Sequence, residues 1–519
     1  MKKFLELFLV LILITASLIV CGGNTKATMD VYAEDVYADE IIIAENIDCR
    51  YLDPDQANGA REARSLTHIF EGLVKESNDG KTIVPLLAES WEISDDGLKY
   101  TFKLKPGIKF SNGTDVTAED WIWSLYRARD AKTSNSTTVA KAIDTVTSPD
   151  ENTLVITLSQ PIASFLANLC KWNMVVKSKD NYDSQTEEEY YKNPIGTGPY
   201  MLDEWQLNER MSLIANPYYH IEGLPKTERL TYQIITDDNT RILQLEAGTV
   251  DIIFAVPFNL MESLANEPNI ETKLFPGTQI RFLILNTTIP PFNDPKVREA
   301  LSYGIDKQAI VDLVTSGYGE PAPTFVSETH GDLFNPDLKV EPANPGKSKS
   351  ILAEAGYTEP VEFTLSVTSG DVIYVSIATI LKSQLAEAGF KVTIEPLEYG
   401  SLQQKYYNLI HNAIELQWTD STPDPSDIGA YACRYADAHQ WHSGLHSQEI
   451  EDLYISTIGE MDREKRVEKF HELQKAVSDA NYLFPLFRAG FSYAYSKDIE
   501  NLEITPFNKI NSAILQKKK

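Results

Sequence analysis

Between residues 99 and 105 the chain alternates: Tyr100, Phe102 and Leu104 are apolar, and Thr101, Lys103 and Lys105 between them are not. A period of two predicts a strand with one face buried, and the Asp95-Asp96-Gly97 turn ahead of it predicts a hairpin. After a second turn at Asn112-Gly113 the period lengthens. Thr117 with Asp120 has the spacing of a capping box, and Trp121, Leu125 and Ala128 fall on one helical face. Strand alternation returns in TLVITL at 153–158. Downstream, an Asp and Asn cap opens a helix that stops at Gly248 and leads into a short apolar strand. Residues 282–285 are apolar without alternation, as a strand covered on both faces requires. Asp294 then caps a helix with Pro295 at its first position and Val297, Ala300 and Leu301 inward, and Asp306 starts the next. ILAEAGY and QLAEAGF each end a helix on glycine, and each is followed by a strand, VEFTLSV and KVTIEPL. REKRVEKFHELQKAV packs Val467, Phe470, Leu473 and Val477 at helical spacing and turns its charges to solvent. Strands and helices in alternation make this an α/β chain with a central sheet.

One segment stands outside the pattern. Residues 417–427, QWTDSTPDPSD, set a tryptophan beside short carboxylates and carry two prolines that stop a helix or inner strand from running through. For its aspartates, turn chemistry is the plain alternative to a site, because Asp beside Ser, Thr and Pro often caps its own backbone.

The length of 519 residues exceeds one core and predicts two or three domains. A net charge of -28 repels phosphate backbones, which excludes nucleic acid as a natural partner. At the start, Lys2 and Lys3 precede an apolar run from Phe4 to Val20 and then Cys21, the pattern of an export signal. Leu18, Ile19, Val20 and Cys21 look like a bacterial lipobox, with bulky Val20 where a small residue is usual. The expectation is a signal over 1–21, a lipid anchor on Cys21 at the outer face of the cell membrane, and a polar tether over 22–40. The other cysteines, Cys49, Cys170 and Cys433, are widely separated; export permits one disulfide among them without choosing the pair. The turn at Gly196, Gly198 and Pro199 lacks the third glycine and the Lys-Ser or Lys-Thr pair of a phosphate loop. No H-E-x-x-H, G-x-S-x-G or G-x-x-x-x-G-K-[ST] occurs, so nothing marks an enzyme. No cofactor is expected.

Four stretches, LAESWEISDDGLKYTFKLKPGIKFSNGTDVTAEDWIWSLYRA, NPIGTGPYMLDEW, LNTTIPPFNDPKVREALSYGIDKQAIV and WTDSTPDPSD, occur in an order that resembles extracytoplasmic solute-binding proteins, family 5. These are the oligopeptide, dipeptide and nickel receptors of ABC importers. The resemblance implies a two-lobe periplasmic-binding-protein type II fold with an additional domain inserted in the first lobe. Lobe I would comprise 41–84, 200–282 and 497–519, the extra domain 85–199, and lobe II 283–496. It implies a monomeric receptor that closes over a peptide-like solute and passes it to a permease powered by an ATPase. Trp418 matches a family tryptophan and Pro425 the closing proline. Counting back from Pro425, the family's ammonium-binding Asp falls at Ser421, while Asp420 sits one residue earlier. Where dipeptide receptors place a carboxylate-binding Arg, this chain has Thr368. The expected ligand contacts are therefore Trp418, Thr419, Asp420, Ser421, Asp424 and Thr368, and the expected cargo is an oligopeptide rather than a dipeptide. The alternative is a metal receptor using His439, His442 and His446, since imidazole suits nickel.

Overall fold

Three larger sheets carry the molecule, and each has its own apolar core. The computed structural model describes residues 37–57, 59–131 and 137–519; the signal, Cys21 and most of the tether lie outside these. Already at Tyr37 and Ala38 the chain pairs with Lys518 and Lys517, and the first strand, Glu40–Glu45, begins where the tether was expected to end.

The first sheet has seven strands in the order Ile270–Phe275, Phe491–Ser496, Ile252–Phe254, Glu40–Glu45, Arg229–Ile234, Arg210–Ala215 and Tyr200–Gln206. Its two faces bury separate clusters, one around Ile41, Leu66, Tyr232 and Tyr493, the other around Ala44, Ile253 and Leu264. The second sheet has six, ordered Gly319–Pro321, Leu483–Ala489, Ile280–Leu285, Ala413–Trp418, Val361–Thr368 and Phe390–Leu397. Every residue of Ile280–Leu285 is buried. Leu283 and Leu285 enter one cluster and Ile280, Phe282 and Ile284 the other, so the unbroken apolar run reflects cover on both faces. A third sheet, Ala88–Ile93, Lys99–Leu104, Thr153–Leu158 and Ile143–Asp150, belongs to the inserted region.

Local signals act as the pattern predicts. Thr117 and Asp120 form the capping box of Ala118–Asp130, whose Trp121, Leu125 and Ala128 are buried. Asp294 caps Pro295–Tyr303, Asp306 caps Lys307–Val314, and Gly356 and Gly389 take positive φ behind the helices they end. Gly196 and Gly198 are fixed by close approach: an added Cβ would sit 2.0 Å from the Ile69 carbonyl oxygen and 2.4 Å from that of His68.

The chain passes between the two large sheets at 276–279 and at Gly490. Residues 280–282, expected in the first lobe, thus pair in the second sheet, and 491–496, expected in the second, pair in the first. Regular strand pairing runs to the last residue on each side, so the change of sheet falls on the Pro276-Gly277 turn and on Gly490 rather than within a strand. Cys49, Cys170 and Cys433 are free and buried, so the permitted disulfide is not formed. Among the described residues no helix is long and apolar enough to cross a membrane.

Candidate functional site

The strand Ala413–Trp418 lies inside the second sheet, between Ile280–Leu285 and Val361–Thr368. It ends at Trp418; Pro423 and Pro425 fill the connection, and a helix starts at Ser426. The seven residues between are where the two halves meet. Thr278, in the first crossing, accepts from the Asp420 backbone N–H at 3.0 Å and lies 3.3 Å from the Pro506 carbonyl oxygen of the first half. Lys171 of the inserted region pairs with Asp427, and the Ala163 N–H donates to the Ile458 carbonyl at 2.9 Å.

Trp418 is half-buried, its ring 4.7 Å from Tyr431 and 5.5 Å from Trp441. Its Nε1 donates to Asp420 Oδ1 at 2.8 Å. The two side chains share a face because they are two residues apart on extended chain. Asp420 is 1% exposed, and its Oδ2 has no hydrogen-bond partner. Burial, with further help from the Asp427 and Asp424 charges, pushes its carboxyl up to about 8, against the Trp418 hydrogen bond and Lys171. Facing Oδ2 at 3.5 Å is His330 Nε2. The imidazole is held at Nδ1 by the Ser327 carbonyl, 3.3 Å away, while Nε2 has no aligned partner although the Thr422 backbone is close. Burial pushes His330 down to about 4, so it is neutral near pH 7.

A largely, not fully, buried guanidinium lies beside the cluster. Ile280 pairs with Trp418 on one side and Arg488 on the other, so Arg488, Ile280 and Trp418 form a row on one face of the sheet. Arg488 Nη2 donates to the Thr324 and Val326 carbonyls at 3.1 and 2.7 Å, and its Nε has no partner. Its nearest carboxylate, Glu328, is 4.0 Å away and largely exposed. Burial lowers it to about 10; Asp420 acts on it through space, but among the described residues the two do not pair. Thr324 Oγ1 beside it is also buried without a partner.

The other expected contacts fall as follows. Thr419 and Ser421 are half-buried on either side of Asp420. Thr368 ends its strand, half-buried; parallel pairing of Ser366 with Ile414 sets it level with Leu416, on the far side of Trp418 from Arg488. Asp424 has a different role. Arg466 Nη1 and Nη2 donate to it at 2.6 and 3.0 Å and the Ser426 N–H at 3.0 Å. Burial raises its pKa, but the Arg466 guanidinium outweighs this and holds it at about 2. With both oxygens occupied it is a structural ion pair, not a free ligand contact.

The three histidines do not converge. Residues 439–442 have positive φ, a left-handed turn tied by Gln440, whose side chain donates to the Cys433 and Ser447 carbonyls at 2.9 and 3.0 Å. This turn inserts Trp441 against Phe282, ring centres 4.6 Å apart. His442 packs on Tyr406 at 4.5 Å, and His446 stacks on Tyr435 at 4.4 Å. Among the described residues no group of three His, Cys, Asp or Glu is placed to hold a metal ion.

A cavity of about 130 Å³ is lined by Phe70, Glu71, Lys171, Trp172, Tyr219 and Lys509 among others, all outside 280–489. Three further cavities are also walled from one half each. None of these four cavities lies between the halves or reaches Asp420; what the structure shows there is a set of buried polar atoms without partners.

Residues 82–438 match the bacterial extracellular solute-binding proteins, family 5. The chain belongs to this family. It is 32% identical over 369 residues to the glutathione-binding protein GsiB of Shigella flexneri, covering 70% of each chain. The periplasmic binding protein DppA of Helicobacter pylori, solved with the peptide STSA, superposes with a TM-score of 0.82 at 24% identity, covering 93% of this chain and 99% of that one. NikZ of Campylobacter jejuni, solved with Ni(L-His), gives 0.80 at 22%, covering 92% and 97%. At these identities the structures establish the fold: two lobes of the type II periplasmic-binding architecture. This family 5 protein is a substrate-binding receptor of the ABC-transport type, from a family that acts outside the cytoplasm and binds solutes.

Sequence reasoning missed His330, Arg488, Thr278 and Lys171. Arg488 had a signal, a lone charge in the apolar run LFPLFRAGF. For His330 there was none, since nothing in a loop 90 positions upstream points to Asp420.

Proposed function

We propose that the protein captures a peptide-like solute through the solute's ammonium group, which Asp420 takes as counter-charge, and that the lobes close over it and present it to a permease driven by an ATPase. The observation that carries this is Asp420 Oδ2, buried and unpartnered beside the Trp418 ring, with residues of both halves around it. A buried carboxylate without a cation is costly, and a ligand ammonium relieves that cost. Only a ligand that touches both lobes favours the shut form, so closure reports occupancy.

The cargo is an oligopeptide or a peptide of similar size, with Trp418 as aromatic wall and Thr419, Ser421 and Thr368 as polar contacts. A relative named for glutathione binding supports a peptide carrying a free amino group. The receptor acts as a monomer, held at the outer face of the membrane by lipid on Cys21. The nickel alternative through His439, His442 and His446 has no support in the geometry: His442 packs on Tyr406 while His439 and His446 lie against Tyr435, and among the described residues no three such side chains are grouped to hold an ion.

Native mass spectrometry of protein purified from its own cells tests the reading: bound peptide masses are expected, released on unfolding. Asp420→Asn should weaken binding of the same peptide about 100-fold, or about 2.8 kcal/mol. Undiminished affinity in that variant removes Asp420 from the site.

A further inference from the structure

The loop that carried the expected metal ligands is strained. His439, Gln440, Trp441 and His442 take φ of 49°, 47°, 57° and 58° in succession, and none is glycine. A left-handed residue with a Cβ crowds the carbonyl that follows it, so a run of four persists only where surrounding contacts hold it. Gln440 supplies them. It is fully buried; its Nε2 donates to the Cys433 and Ser447 carbonyls, its Oε1 accepts from the Ser447 N–H at 3.0 Å, and its backbone carbonyl accepts from the Ser443 hydroxyl at 2.8 Å.

What this strain secures is the place of one indole. Trp441 is 2% exposed and packs on Phe282, which lies two residues along its strand from Ile280 and so on the same face. Ile280 is the partner of Trp418 across the sheet. There Trp441 meets the Trp418 ring edge-on, at 5.5 Å with an interplanar angle of 76°, a favoured aromatic geometry. Tyr431 closes the triangle, 4.7 Å from Trp418 and 6.2 Å from Trp441. An indole without such bracing turns about χ2, whose wells are broad. That rotation would swing Trp418 Nε1 away from Asp420 Oδ1, the hydrogen bond that orients the carboxyl.

We propose that Trp441 is a positioning residue for cargo capture: the strained turn sets the plane of the Trp418 indole, and through it the direction of the Asp420 carboxyl, while neither Trp441 nor Gln440 touches the cargo. This rests on the reading that Trp418 and Asp420 face the cargo. The turn thereby serves the site through its indole and not through its histidines.

The test uses the purified protein labelled with 5-fluorotryptophan, in which seven indoles report by fluorine NMR and Trp418→Phe identifies the Trp418 resonance. Gln440→Ala unties the turn from outside the aromatic cluster. In the cargo-free protein it should shift or broaden the Trp418 resonance while leaving those of Trp91 and Trp121, in the inserted region, in place. Calorimetry with the tripeptide Ala-Ala-Ala should show affinity about tenfold lower in Gln440→Ala and about twentyfold lower in Trp441→Leu, with Trp441→Phe between that variant and the unaltered protein. A Trp418 resonance unmoved in both Gln440→Ala and Trp441→Phe overturns the proposal, and so does tripeptide affinity within twofold of the unaltered protein in those two variants. Trp441→Phe keeps a ring against Phe282, so misfolding of Trp441→Leu cannot obscure the result. Failure of the unaltered protein to bind the tripeptide counts against the peptide reading alone; the fluorine spectra need no cargo and still decide whether Trp441 sets Trp418.

Discussion

Asp420 and Asp424 are four residues apart in one turn, both about 5% exposed or less, and they have opposite relations to the rest of the protein. Asp424 is bound on both oxygens by Arg466 and neighbouring donors and is held at about 2. Asp420 has one hydrogen bond, an empty-handed second oxygen and a carboxyl pushed to about 8. Burial is thus no guide to role; the difference lies in what the fold supplies to each carboxylate. One holds the turn to the helix Arg463–Asp479, and the other keeps one oxygen without a hydrogen-bond partner.

Substitutions should pull the two apart. Asp424→Asn should cost about 3–5 kcal/mol, because it strands the buried Arg466 charge; urea unfolding at pH 7 measures it. Its pKa is depressed, so its contribution is full above the unfolded value near 4 and is lost as pH falls towards about 2. Asp420→Asn should act in the other direction, raising ligand-free stability by about 1–3 kcal/mol at pH 8, since the variant buries a neutral amide in place of a carboxyl forced towards ionisation. Here the folded pKa is raised: from about 4 to about 8 the folded protein holds a proton that the unfolded chain has released. Wild-type stability from this group therefore falls across that window, and the advantage of the variant should be absent near pH 4 and grow until pH 8. Unfolding curves at pH 5 and pH 8 would show whether the two aspartates do differ in sign.

A smaller effect sharpens the comparison at the boundary between the halves. Lys171→Met removes the pair to Asp427, whose charge bears on Asp420. Peptide affinity should drop about fivefold, near 1 kcal/mol. The smallest change belongs to the discarded metal site: His446→Ala, at an exposed position, should alter stability by less than about 0.5 kcal/mol and leave nickel binding unchanged.

Much of the fold was legible because its signals are local. Alternation at 99–104, the Thr117 and Asp120 box, the Asp294-Pro295 start and the glycine stops all report on neighbours within a turn or two, and the motif order gave the architecture. The crossings were displaced by a few residues because Pro276-Gly277 and Gly490 are brief breaks beside long apolar strands, and an apolar run does not say which sheet it joins. That Trp418 and Asp420 meet was legible in the face they share. Asp424 was misjudged because its partner Arg466 comes from a helix 42 residues away, and His330 and Arg488 were missed for the same kind of reason. Which carboxylate has been satisfied depends on long-range packing, and the turn sequence carries no trace of it.

The central claim is that Asp420 waits for the cargo's ammonium. Thermal unfolding of wild type and Asp420→Asn, each with and without the peptide that copurifies, tests it most directly. The account predicts an Asn variant that melts higher than wild type when empty and gains little or nothing from the peptide, while wild type gains several degrees. An equal peptide-induced gain in both proteins would contradict it.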